Sequence, residues 1–225
     1  MDSFSQTPFG TTSFADNPEP RCACLLLLDC SGSMQGNPIE ELNAGLITFK
    51  DELAADELAV KRVEVAVISF GGAVNVVTDF TTAGAFTPTT LFAGGETPMG
   101  AAINLGLDLL QARKQIYKDN GIAYYRPWVF LITDGAPTDE WSAAANRVHQ
   151  GESAKNFSFF AVGVENANLE KLGQIAARPT AQTPGAALPD LFLWLSKSLG
   201  SVSQSKVGDT VPLENPTAPD GWAAV

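Results

Sequence analysis

The feature that most constrains this chain is an unbroken apolar run, CACLLLLD, at residues 22–29. A strand that faces water on one side alternates apolar and polar residues, whereas a strand covered on both faces is apolar almost throughout. The run therefore predicts a central strand of a parallel sheet that is covered on both faces. Residues 127–133 and 156–164 are nearly as apolar and predict further strands of the same kind.

The segments between these strands have the spacing of helices. Helices are predicted from residue 37 onwards, over 99–117, and over about 138–154, 168–176 and 188–203. The first of them has a single apolar stripe, in which residues lie three or four positions apart: Ile39, Leu42, Leu46, Phe49 and Leu53. Alternating strands and helices predict an α/β fold, with three layers and a doubly wound, mostly parallel sheet.

One pair of strands is expected to run antiparallel. Val63–Phe70 alternates apolar and polar residues, and Gly71-Gly72 allows a tight turn into Ala73–Phe80. This hairpin predicts one antiparallel strand at the edge of the sheet. The expected organisation is an N-terminal arm at 1–20, a single domain at 21–203 and a C-terminal tail at 204–225.

Charge and composition exclude several kinds of partner. The net charge is −11 and the pI about 4.4, which disfavours binding to nucleic-acid phosphates or to anionic membranes. No run reaches the ~20 apolar residues of a spanning helix, and residues 1–20 lack the pattern of a signal peptide. The three cysteines lie within nine residues, at 22, 24 and 30, so we expect reduced thiols and a cytoplasmic protein.

Three polar loops follow predicted strands or precede predicted helices. They are DCSGSM from Asp29, GGETP at 94–98, and Thr133-Asp134-Gly135. Asp29, Ser31 and Ser33 stand at alternate positions and can direct their oxygens to one point. Mg²⁺ takes about six oxygen ligands, and hydroxyls are weak neutral ones. A site with few carboxylates would leave the ion able to accept a carboxylate from another molecule.

Taken together, DCSGSM, GGETPMG and LITDGAPTD resemble the three parts of the metal-ion-dependent adhesion site of von Willebrand factor A domains. The resemblance covers about residues 21–203. It implies direct ligation of the metal by Ser31 and Ser33, and ligation by Thr97 directly or through water. It further implies that Asp29 and Asp134 act mainly through water or as anchors. Mg²⁺ is the expected ion, with Mn²⁺ and Ca²⁺ left open.

The detailed sequence of segments such as FLITDGAPTDEW and FFAVGVENANLEKL resembles that of bacterial TerY-like proteins, which are associated with tellurium resistance and stress operons. This resemblance implies a cation-dependent protein interaction module in a bacterial stress or signalling system. A protein partner would supply the acidic residue, and a kinase or a phosphatase encoded nearby is the expected kind of partner.

Two other functions compete with this hypothesis. A phosphoryl-transfer enzyme would usually have a second acidic residue near Asp29 and a strand-end lysine, and neither is evident. A scaffold with a purely structural metal is the other alternative. His149 is the only histidine, so a Ser-His-Asp triad is not expected, and Cys30 is expected to be a buried packing residue. We therefore predict that the protein is not an enzyme.

Overall fold

Six strands form one sheet in the computed structural model, which describes residues 13–165, 167–183 and 187–211. The strands are β1 Cys22–Asp29, β2 Val63–Gly71, β3 Ala73–Thr82, β4 Trp128–Thr133, β5 Ser158–Val164 and β6 Ala181–Thr183. Their order across the sheet is β3-β2-β1-β4-β5-β6. Only the β2–β3 pair is antiparallel. The predicted fold class, including the antiparallel edge strand, is confirmed.

Seven α-helices accompany the sheet in the described part of the chain. They are α1 Ser13–Asp16, α2 Asn37–Ala55, α3 Ala59–Arg62, α4 Met99–Asp119, α5 Ser142–Ser153, α6 Leu169–Ile175 and α7 Leu188–Gln204. A short 3-10 turn covers Gly32–Met34. None of the described helices has the length and apolar character that crossing a membrane would require.

Strand β1 lies at the centre of the molecule, and each of its faces supplies a separate core. Leu26 and Leu28 belong to the apolar cluster that α2 and α7 cover. Leu25 and Leu27 belong to the cluster that α4, α5 and α6 cover on the opposite face. All eight residues of β1 are buried, which explains the continuous apolar run.

Several predicted boundaries shift in the structure. Helix α5 begins at Ser142 rather than near 138, because Thr138 and Asp139 bond to residues 97–101 instead. Strand β5 begins at Ser158 rather than at 156, since pairing with β4 starts there. Helix α2 includes Asn37, and Gly36 occupies the capping position with a φ of 87°. Strand β6 and helices α1 and α3 were not predicted.

The parallel strands define two edges of the sheet, a carboxyl edge where β1, β2, β4 and β5 end and an amino edge where they begin. Residues just before β1 pack at the amino edge. Phe14 is 6% exposed, and Asn17 donates to the carbonyl oxygen of Lys61 at 2.8 Å. Of the two predicted arms, residues 1–12 and 212–225 lie outside the described residues.

Candidate metal site

The three polar loops meet at the carboxyl edge because β1 and β4 are adjacent parallel strands. Asp29 is the last residue of β1, and Thr133 is the last residue of β4. The chain leaves these two strands towards opposite sides of the sheet, which opens a crevice between the loops. In α/β proteins such a crevice is the usual place for a ligand.

The loop after β1 is tied to itself and to the loop after β4. Asp29 Oδ1 accepts a hydrogen bond from the Ser31 backbone N–H at 2.7 Å. The Ser31 and Ser33 hydroxyl oxygens are 3.0 Å apart. The Ser33 hydroxyl in turn donates to Asp134 Oδ1 at 2.7 Å. These bonds bring residues more than a hundred positions apart into one polar group.

The loop before α4 is bound to the first loop through its backbone. The Gly94 N–H donates to the Cys30 carbonyl at 2.8 Å, and the Gly32 N–H donates to the Gly95 carbonyl at 2.9 Å. Gly95 has a φ of 79°, and a Cβ there would lie 2.5 Å from Gly72 Cα. Only glycine permits this close approach. The result is that Thr97, which is buried at 6% exposure, comes next to the serines.

Gly135 shows how closely the candidate ligands converge. A Cβ placed on Gly135 would lie 3.7 Å from Thr97 Oγ1, 3.8 Å from Ser33 Oγ and 3.9 Å from Asp29 Oδ2. Oxygens of the first and second loops therefore lie within 4 Å of one point on the third loop. The structure thus brings together all five predicted site residues: Asp29, Ser31, Ser33, Thr97 and Asp134.

The donor set fits a small divalent cation. Neighbouring ligands of an octahedral Mg²⁺ at ~2.1 Å lie about 3.0 Å apart, and the Ser31 and Ser33 hydroxyl oxygens, 3.0 Å apart, are close enough to bind one such ion. No ion pair among the described residues involves Asp29 or Asp134. Nor do those residues contain a cluster of three or more His, Cys, Asp or Glu suited to a metal. Serine and threonine hydroxyls must therefore complete any such site.

Electrostatics at Asp29 also favour a cation. The side chain is fully buried. Burial raises its pKa and nearby Asp134 adds to the rise, whereas hydrogen bonds from Thr133 and Ser31 oppose it. A cation placed among these oxygens would supply the positive charge that this buried carboxylate lacks.

Sequence reasoning did not assign a role to Thr133. Its hydroxyl donates to Asp29 Oδ2, and its oxygen accepts from the Gly135 N–H at 3.1 Å. Thr133 therefore joins the end of β1 to the loop after β4. A polar residue that ends a fully apolar strand was the available signal, but its partner could be identified only from the sheet order.

Two acidic residues near the site in sequence have different surroundings. Asp139 accepts from the N–H groups of Gly100 and Ala101 at 2.9 and 2.8 Å, so it caps α4 from another loop. Glu96 is exposed, and its carbonyl oxygen accepts from the Gly72 N–H at 2.8 Å. The first is engaged with a helix end, and the second lies on the surface of the site.

His149 and Cys30 occupy the kinds of position that the sequence predicted for them. His149 is exposed on α5. Cys30 is 5% exposed, and burial raises the pKa of its thiol to about 12, with Asp29 contributing. Cys22 and Cys24 are free and buried in the core. The prediction that the cysteines are buried packing residues is confirmed.

Comparison with known proteins gives one family and many structural neighbours. A sequence profile described as the von Willebrand factor type A domain matches residues 25–190, which is most of the chain. A search of curated proteins found no sequence that matches this chain. Solved structures supply the remaining matches.

Three of those structures illustrate the fold. The vWF domain of the type V pili tip protein Mfa5 from Porphyromonas gingivalis is 11% identical, with a TM-score of 0.61 over 84% of this chain and 98% of that one. Mussel proximal thread matrix protein 1, with a zinc-occupied MIDAS motif, is 17% identical, with a TM-score of 0.56 over 81% and 48%. Manganese-loaded TRAP protein of Plasmodium vivax is 21% identical, with a TM-score of 0.51 over 77% and 73%. The chain therefore spans about half the length of the mussel protein.

Proposed function

Because this chain belongs to the von Willebrand factor type A domain family, we propose that its carboxyl-edge site binds a divalent cation and thereby captures a carboxylate of a protein partner. One observation carries the proposal. Five side chains from three loops converge at a crevice, and only two of them, Asp29 and Asp134, are acidic. With both carboxylates acting mainly through water or as anchors, neutral hydroxyls would supply the direct protein ligands.

Each residue has a distinct task in this proposal. Ser31, Ser33 and Thr97 present neutral oxygens to the ion, and Asp29 and Asp134 hold the serine loop in place. The bound ion would supply electrophilic attraction for an incoming carboxylate, since hydroxyl ligands neutralise little of its charge. Protein ligands that number fewer than about six leave a position for the partner's oxygen.

We propose Mg²⁺ as the resident ion. Short hydroxyl side chains with oxygen separations near 3 Å suit a small octahedral ion better than Ca²⁺, which takes longer bonds and more ligands. Mn²⁺ accepts similar oxygen ligands, and the neighbours with zinc or manganese show that the family fold accommodates divalent metals. A titration with each ion would rank them directly.

The cellular setting is also part of the proposal. The resemblance to TerY-like proteins supports a cytoplasmic, non-enzymatic module of a bacterial stress or signalling system, with a kinase or a phosphatase as partner. The Ser33 hydroxyl is hydrogen-bonded to the Asp134 carboxylate and not to a histidine or lysine base, which favours binding over turnover. Assay of phosphoester hydrolysis with each metal would test the enzymatic alternative.

The experiment that tests the proposed function separates metal binding from partner binding. Isothermal titration with Mg²⁺ and Mn²⁺ should show one site in the wild type and a large loss of affinity in Ser33→Ala. Ser33 is exposed, so its substitution should leave the fold intact. Ser201→Ala, an exposed serine on α7, is the matched control. Full metal affinity in Ser33→Ala, or partner capture that survives EDTA, would contradict the proposal.

A further inference from the structure

The loops at the carboxyl edge have a one-sided charge. Residues 30–36, 72, 92–98, 134–141, 165, 167 and 168 contain no lysine or arginine. Carboxylates at or beside this edge are Asp29, Glu96, Asp134, Asp139, Glu140 and Glu165. Lys171 of α6 approaches the edge, but its ammonium lies over the Trp141 ring, 5.2 Å from the ring centroid. A partner that carried only acidic groups would be repelled here, whatever the attraction of the ion.

Glu96 and Glu140 are the two exposed carboxylates closest in the chain to the site loops. Thr97 and Thr138 exchange hydrogen bonds at 3.0 Å, which places the segment before Glu140 beside the segment after Glu96. Glu140 accepts from the Ser142 N–H at 2.7 Å, and this bond holds its pKa below the usual range. Both side chains are exposed, and Glu96 directly precedes Thr97 in the chain.

Phe92 is an exposed aromatic side chain on the same loop as Glu96. Its exposure is 83%, although the residues on either side are fixed. Asn43 bonds both the N–H and the carbonyl of Leu91, at 2.8 and 3.0 Å. Beyond Phe92, the Gly94 N–H donates to the Cys30 carbonyl. The backbone on both sides of Phe92 is therefore anchored while its ring is exposed to solvent. A fixed and exposed aromatic ring is typical of a contact residue and not of a flexible loop.

The spacing of these features limits the size of the ligand. Phe92 and Glu96 are four positions apart, so their Cα atoms lie at most ~14 Å from each other. An extended peptide of about five residues spans that distance. One short segment of a partner can thus contact the Phe92 ring, the site hydroxyls and the acidic rim together. The acidic rim consists of the exposed carboxylates of Glu96 and Glu140.

We infer that the partner's docking segment is a short basic and apolar peptide around one acidic residue. The acidic residue meets the cation site, flanking lysine or arginine side chains pair with Glu96 and Glu140, and a large apolar side chain packs on Phe92. This inference rests on the proposed function, because the central acidic residue is directed to the proposed ion. The acidic rim then rejects segments rich in Asp and Glu, which gives the site its selectivity.

A phage-displayed library of short random peptides around a fixed glutamate tests the inference. Wild-type protein is the bait in the presence of Mg²⁺, and EDTA elutes the bound phage. The expected pool is enriched in Lys or Arg and in large apolar residues at fixed offsets from the glutamate. Synthetic peptides from that pool should bind roughly two- to fivefold more weakly to each of Glu96→Gln and Glu140→Gln. They should bind roughly tenfold more weakly to Phe92→Ser.

Matched controls distinguish a failure of this inference from a failure of the proposed function. Glu57→Gln and Val207→Ser change exposed residues elsewhere and should leave peptide affinity unchanged. An EDTA-eluted pool with neutral or acidic flanks, equally well bound by Phe92→Ser and Glu140→Gln, would overturn the inference and leave the proposed function intact. A pool that EDTA does not release would overturn both.

Discussion

At the scale of single residues, the site depends on how Asp29 is held. Its two oxygens accept from the Ser31 N–H and the Thr133 hydroxyl, so both are oriented before any ion arrives. Asp29, Ser31 and Ser33 could be proposed from the sequence because their alternate spacing is local. Thr133 could not, since its partner lies 104 positions away.

Replacement of Thr133 by valine should weaken metal binding without unfolding the protein. Valine keeps the shape and the strand preference, but it removes the donor that fixes Asp29 Oδ2. Loss of such an outer hydrogen bond typically costs 10–100-fold in metal affinity, and we expect roughly that range for Mn²⁺ or Mg²⁺. Isothermal titration measures it. Thr133→Ser keeps the hydroxyl and should retain most of the affinity; equal losses in both variants would refute the positioning role.

At the scale of elements, a four-residue helix closes the amino edge. Phe14 of α1 lies 5.3 Å from the guanidinium carbons of Arg21 and Arg113, and it packs edge-on against Tyr117. Both arginines pair with the buried Glu64. The sequence predicted an arm that would be ordered only on docking, but four residues have too little periodicity to reveal a helix.

Phe14→Ala should lower the free energy of unfolding by about 3 kcal/mol, because it leaves a cavity at a buried aromatic position and removes two cation–π contacts. Urea denaturation measures the change. Phe92→Ala is the matched control, since that ring is 83% exposed and its loss should cost under about 0.5 kcal/mol. Similar costs for the two variants would show that α1 does not contribute to stability.

The late start of α5 has a consequence for α4. Asp139 was predicted to be helical, yet it caps two N–H groups at the start of α4. Asp139→Ala should therefore lower stability by about 1 kcal/mol, as loss of a helix cap does. Thermal denaturation with Asp119→Ala, at the other end of the same helix, provides the comparison; an acidic residue there opposes the helix dipole, so its removal should cost nothing.

At the scale of the whole molecule, the buried thiols link stability to pH. Burial raises the pKa of Cys22 and of Cys30 to about 12, and it raises that of Tyr117 as well. Unfolded thiols ionise from about pH 9, so the folded state holds more protons above that pH. Stability is therefore complete below about pH 9 and declines towards pH 12. Burial lowers the pKa of Lys114 and of Arg126, and these two groups act in the opposite sense.

Urea midpoints at about pH 8 and pH 10 should differ by the equivalent of about 4 kcal/mol, because each of the three buried thiols contributes about 1.4 kcal/mol over this interval. A variant with Cys22→Ala and Cys30→Ala should show a smaller difference, whatever its absolute stability. A wild-type midpoint that stays constant over this interval would contradict the link between burial and proton binding.

Much of the overall architecture was accessible from the apolar pattern. β1, β4 and β5 are covered on both faces, so each appears in the sequence as a continuous apolar run. Their predicted bounds differ from the observed ones by two residues or fewer. β6 was missed because three residues cannot display a period. It exists only through pairing with β5. Local pattern thus predicts the buried strands, whereas short edge elements depend on their neighbours.

The described chain approaches and leaves the domain at the same edge of the sheet. Phe14 packs on Arg21, just before β1, and Val211 lines a cavity with Tyr125 and Trp128, at the start of β4. The cation site lies at the other ends of these two strands. Tension between a ligand held by the loop after β1 and the chain that precedes β1 would therefore run lengthwise along β1. The hydrogen bonds from β1 to β2 and β4 would be sheared together rather than opened one after another.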